Sequence, residues 1–143
     1  MTSFNEIFTL ALQKIDDPSL AQWPEEDLLN ELNGWLTAAI GKLPKLRSVL
    51  ADRDKFDPAN AASLGFHSDL DETVKEILAL GIKREWLAPM IASTTLTWQR
   101  YSKKEGYSQK EHLTGLMELD ETIKLEIKKL LRDTTYVDND YLN

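Results

Sequence analysis

Between Glu76 and Ile91 the chain reads EILALGIKREWLAPMI. Ile77, Leu78, Leu80, Ile82, Trp86, Leu87, Met90 and Ile91 are apolar, which is wider than one helical face. A segment apolar on several sides belongs at the centre of a bundle, where neighbours reach it from more than one direction. It also contains Gly81 and Pro89, the two residue types least suited to a helix interior. Gly81 therefore reads as a bend that lets the segment change direction. Beyond it, Leu87, Met90, Ile91, Thr94, Trp98 and Tyr101 keep helical spacing through Pro89. A kinked helix and two abutting helices both satisfy that pattern.

The flanking sequence supplies the neighbours. Ser3 and Glu6 form an S-x-x-E capping box, and Phe4, Ile7, Phe8, Ala11 and Ile15 follow at helical spacing until Pro18. A second helix opens at WPEEDLL, with Pro24 at its first position and Glu25, Glu26 and Asp27 at the positive end of its dipole. Its stripe is Leu28, Leu32, Trp35, Leu36, Ala39, Ile40 and Leu43, and Gly41 and Pro44 end it. Ser68 is the expected cap of the central helix, with Asp69, Asp71 and Glu72 in its first turn. Ser108 with Glu111 forms a second capping box that opens the last helix, lined by Leu113, Leu116, Met117, Ile123, Ile127, Leu130 and Leu131. Almost nothing reads as a strand. The expected fold is all-α, a single-domain bundle of four to five helices over residues 1–132.

Two stretches stand outside that pattern. LRSVLAD suits a short helix, but residues 51–68, punctuated by Pro58 and Gly65, read as a loop that is long for a compact domain. Such loops are often functional or ordered by a partner. Residues 133–143 have no period, little apolar content and an excess of acid. They are expected as a tail, either disordered or ordered by a partner around Tyr136, Tyr141 and Leu142.

Composition narrows the function classes. The 143 residues suit one domain. There is no cysteine, which excludes disulfides, thiolate metal sites and a cysteine nucleophile, and points to a reducing compartment. The start MTSFNEIFTL has neither a positive n-region nor an uninterrupted apolar stretch, so no signal peptide is expected. No apolar run approaches the ~20 residues of a membrane span. With 17 basic and 24 acidic residues the net charge is −7, which would repel nucleic acid phosphates.

No catalytic constellation is visible, and an enzyme is not expected. His67 and His112 are far apart and in no metal-binding spacing, so neither a metal nor a cofactor is expected. DRDKFD superficially resembles a calcium loop, but Asp57 stands where that loop requires glycine and Ser63 where it requires glutamate. A solvated acidic turn is the expectation. The glycines form no phosphate-binding pattern. Trp35, Trp86 and Trp98 lie on apolar stripes and are expected in the core. Trp23 precedes a helix, where it serves either as a hydrophobic staple or as an interface anchor.

From Leu70 to Leu131, a little under half of the chain, the sequence resembles the small all-α head–tail connector (adaptor, head-completion) proteins of tailed bacteriophages. The residues that carry the resemblance are EILALG (Glu76–Gly81) with Trp86, Leu87 and Pro89, then Tyr107, Ser108, His112, Leu113 and Leu116. They are packing residues. The resemblance implies a virion neck protein assembled in the host bacterial cytoplasm. Its copies would form a ring, twelve-fold if it follows the portal, that extends the DNA channel and offers a platform to a stopper or tail-completion protein. DNA would pass through without specific binding, which suits the acidic balance. Interface residues are then expected at Trp23, Phe56, Phe66, Tyr136, Tyr141 and Leu142. The competing expectation is a regulatory or adaptor helical domain outside the virion, which would bind one partner as a monomer or dimer.

Overall fold

Thr2–Ser3 (β1) and Gly65–Phe66 (β2) pair as antiparallel strands, Thr2 opposite Phe66 and Ser3 opposite Gly65. The computed structural model that shows this describes residues 1–100 and 103–134, with side chains at 1–96 and 110–134. Gly65 is needed for the pairing, because a Cβ there would sit 2.0 Å from the Thr2 carbonyl oxygen. Thr2 is buried, and its hydroxyl both donates to the Ser68 carbonyl (3.2 Å) and accepts from the Leu70 N–H (2.9 Å). Residues 52–54 join the other edge of β2, where Asp54 N–H donates to Gly65 O and His67 N–H to Asp52 O.

These bonds tie residues 51–68 to their own chain. The segment also delivers aromatic rings to the core: Phe4 stacks on Phe56 (5.6 Å between centroids) and meets Phe66 edge-on (5.7 Å), and Phe56 also lies against Phe8 (5.8 Å). Each such pair contributes about 0.5–1.5 kcal/mol beyond the area it buries.

Five helices account for most of the rest: α1 (Phe4–Lys14), α2 (Glu25–Gly41), α3 (Arg47–Ala51), α4 (Glu72–Arg100) and α5 (Lys103–Arg132). The all-α expectation holds. Ser3 caps α1 by accepting from the Glu6 N–H (3.2 Å), while the Glu6 carboxylate binds Lys75 of α4 (2.6 Å). The expected apolar faces of α1 and α2 are turned inward, with Phe4, Ile7, Phe8, Ala11, Leu32, Leu36, Ala39 and Leu43 buried. Helix α2 starts one residue later than expected, and Pro24 precedes it.

Helix α4 is the centre of the molecule and packs against α1, α2 and α5. Its cap is Asp71, which accepts from the Val74 N–H (2.9 Å), rather than Ser68. Val74, Ile77, Leu78, Ala79, Leu80 and Ile82 are all buried, which accounts for a run apolar on every side. Burying each Leu or Ile side chain is worth roughly 1.5–3 kcal/mol.

Helix α4 continues through both expected breaks. Gly81 is there for contact: a Cβ at this position would lie 2.8 Å from the Ala39 Cβ, so the missing side chain lets α2 approach α4. Pro89 withdraws the N–H that would reach the Glu85 carbonyl, yet lies inside the helix on an exposed face.

Helix α5 begins at Lys103, so Ser108 lies inside the helix instead of capping it. It returns along α4, and Arg84 holds Asp120 with two bonds, Nε to Oδ1 (2.7 Å) and Nη2 to Oδ2 (3.3 Å). Leu113, Ile123 and Ile127 are buried against α4, whereas Met117 is 55% exposed, contrary to expectation. Among the described residues no helix is long and apolar enough to cross a membrane.

Candidate interaction surfaces

The second half of α4 has a different environment from the first. After Leu87, Thr94 is the buried side chain among the described residues of α4, and Met90 and Ile91 are half-buried. With 29 and 30 residues, α4 and α5 are each ~45 Å long, whereas α1 and α2 have 11 and 17 residues. The two long helices pack against each other, and α4 also packs against α1 and α2. Leu96, near the far end of α4, is 55% exposed. On α5, Met117 and Leu119 flank the buried line on its two sides, and Leu125 lies on the opposite face. Trp23, 41% exposed, stands between the Pro18–Gln22 turn and α2.

The expected interface residues therefore separate. Trp23 is on the surface. Phe66 is fully buried within the chain, which removes it from any surface, because its strand pairs with β1 and its ring abuts Phe4. Phe56 is half-buried and spends its ring on Phe4 and Phe8. Tyr136, Tyr141 and Leu142 lie outside the described residues, as do Tyr101 and the side chains of Trp98, Tyr107 and Ser108. Of the other resemblance residues, Trp86 donates its ring N–H to Asp17 (3.1 Å), Leu87 and Leu113 are buried, Leu116 is half-buried and His112 is exposed.

The acidic turn proves to be a clasp. His67 Nδ1 lies 2.6 Å from Asp52 Oδ1 and its Nε2 lies 2.8 Å from Asp54 Oδ1. Carboxylate oxygens only accept, so both ring nitrogens donate when the imidazole is protonated. The bond to Asp54, then that to Asp52, raises the His67 pKa above its ordinary 6.5 against the opposing effect of desolvation. Asp54 is lowered below 3.8, first by His67 and then by the Gly65 N–H that it accepts (2.9 Å). Asp57 stays exposed and caps the Pro58–Asn60 turn by accepting from the Ala59 N–H (3.1 Å). Among the described residues no group of three or more His, Cys, Asp or Glu side chains is arranged to hold a metal ion. The clasp instead fastens residues 52–54 to β2.

A cleft that sequence reasoning missed opens between the end of α2 and the last turns of α5. Leu43, Pro44, Ile127 and Leu131 form its apolar lining, and Lys42, Lys45, Arg84, Lys124 and Lys128 surround it. Its volume is ≈ 270 Å³. No local pattern signals it, because its cations come from three separate stretches of an acidic chain.

Comparison of the chain with protein-family models, curated proteins and solved structures finds no match.

Proposed function

We propose that this chain is a structural subunit of a tailed-phage neck, a head–tail connector whose copies pack side by side in a ring beneath the portal. The observation that supports this reading is the α4–α5 hairpin. It coincides with the segment that resembles the connector proteins, and it carries exposed apolar side chains, Leu96 and Met117. In a ring these positions meet the adjacent subunit. Trp23 and the segment with Tyr136, Tyr141 and Leu142 are then the contacts offered to the portal on one side and to a stopper or tail-completion protein on the other. The net charge of −7 lets DNA slide through the channel without being held.

The test is assembly on purified portal rings from the source phage, read by electron microscopy. The wild-type chain should add a closed ring with the symmetry of the portal. Leu96→Asp with Met117→Asp should remain a folded monomer by circular dichroism and add no ring. A wild-type chain that binds its target one-to-one and never forms a ring would support a helical adaptor domain outside the virion.

A further inference from the structure

We propose that the cleft between α2 and α5 is the docking site of the chain's own acidic C-terminal segment, residues 133–143, folded back onto the helix it follows. This inference concerns the free chain and stands whether or not the neck reading holds.

The cleft is a cationic site in an acidic protein. Five of the 17 basic residues surround it, although the net charge is −7. Two of the five are engaged, Lys42 with Glu85 and Arg84 with Asp120. Among the described residues no carboxylate pairs with Lys45, Lys124 or Lys128. A smaller void of ≈ 40 Å³ shares Lys42, Leu43, Arg84 and Ile127 with the cleft and extends it towards Gly81. Cations over an apolar floor fit a ligand with both carboxylates and apolar side chains. A simple inorganic anion would leave the floor unused.

The segment after α5 has that chemistry. Asp133, Asp138 and Asp140 alternate with Tyr136, Val137, Tyr141 and Leu142. It also starts in the right place: α5 ends at Arg132, one residue past Leu131 of the cleft. Along α5 the cleft runs from Lys124 to Leu131, about 10 Å at the helical rise. Residues 135–143 span up to ~30 Å when extended, enough to reverse direction and lie along the whole cleft. The short tether gives the segment an effective concentration in the millimolar range, which favours its own cleft over that of another molecule.

The chain has no cysteine, so one introduced at Asn139 is unique and can carry a nitroxide spin label. The test is paramagnetic broadening of amide signals in the full-length, labelled Asn139→Cys chain. The expected result is strong broadening at residues 42–46 and 124–131, with the Gly65–Phe66 region spared. It should disappear in the Lys124→Glu, Lys128→Glu background and in high salt. Broadening confined to the last turn of α5 would overturn the proposal. So would broadening that appears only between labelled and isotopically enriched molecules in a mixture, since that places the segment on another copy. The wild-type background decides the matter even if the charge-reversed variant folds poorly.

Discussion

The two halves of α4 have similar apolar content and opposite surroundings. From Val74 to Leu87 the helix is enclosed by α1, α2 and α5, and Ile77, Leu78 and Ile82 are completely buried. From Ala88 to Leu96 Thr94 is the one buried side chain, and Leu96 is exposed. Apolar periodicity marks which side chains can be buried; the lengths of the neighbouring helices decide which ones are. Helix α2 ends at Gly41, and its Ala39 meets Gly81 of α4. The apolar surface exposed on α4 and α5 is what a side-by-side assembly would use.

The contrast can be broken most forcefully at Leu78. Leu78→Ala should cost about 2–5 kcal/mol in chemical denaturation, because the side chain is completely buried in the helix that packs against three others. A loss under about 1 kcal/mol would mean that the inner half is packed too loosely for its burial to matter. Gly81→Leu should cost about 1–3 kcal/mol through its collision with Ala39. Gly34 tests the same residue type without a neighbour: nothing lies within 4 Å of its virtual Cβ, and Gly34→Ala in α2 should stabilise by about 0.5–1 kcal/mol. If both glycine substitutions had the same sign, close approach would not be the reason for Gly81.

The His67 clasp predicts a pH signature. Since the folded pKa of His67 is raised, its contribution is full below the ordinary 6.5 and fades as pH rises through the folded value. Since that of Asp54 is lowered, its contribution is full above 3.8 and fades as pH falls through the folded value. The clasp is therefore strongest between those limits, and His67→Gln should flatten the stability profile above 6.5. An unchanged profile would separate His67 from the fastening of β2. The smallest effect belongs to the second half of α4: Leu96→Ala should change monomer stability by less than about 0.5 kcal/mol. A loss comparable to that of Leu78→Ala would show that Leu96 is covered within the monomer.

Much of this architecture is legible in the amino-acid order itself. The stripes Phe4, Ile7, Phe8, Ala11 and Leu32, Leu36, Ala39 name their buried faces, because α-helical periodicity is a local signal. The tie between β1 and β2 is not legible, because two-residue strands have no alternation to read and their partners are far apart in the chain. Without that tie Phe66 reads as a surface residue, although it is buried. Gly81 is legible only in part, because glycine signals a bend or a close approach, and the approach to Ala39 shows only in the fold. Met117 misleads because a helical stripe drawn from apolar content alone is wider than the contact that α4 provides. Of the candidate surface residues, Trp23 is exposed. The cationic cleft is invisible in the sequence, because residues 42–45, 84 and 124–131 meet only in the folded chain.

The central proposal, that this chain joins heads to tails, is tested most directly by electron microscopy of lysates from the source genome with an early nonsense codon in this gene. The prediction is filled or fillable heads and finished tails that fail to join, with joining restored by the wild-type chain supplied in trans. Normal particles from the same lysate would contradict it.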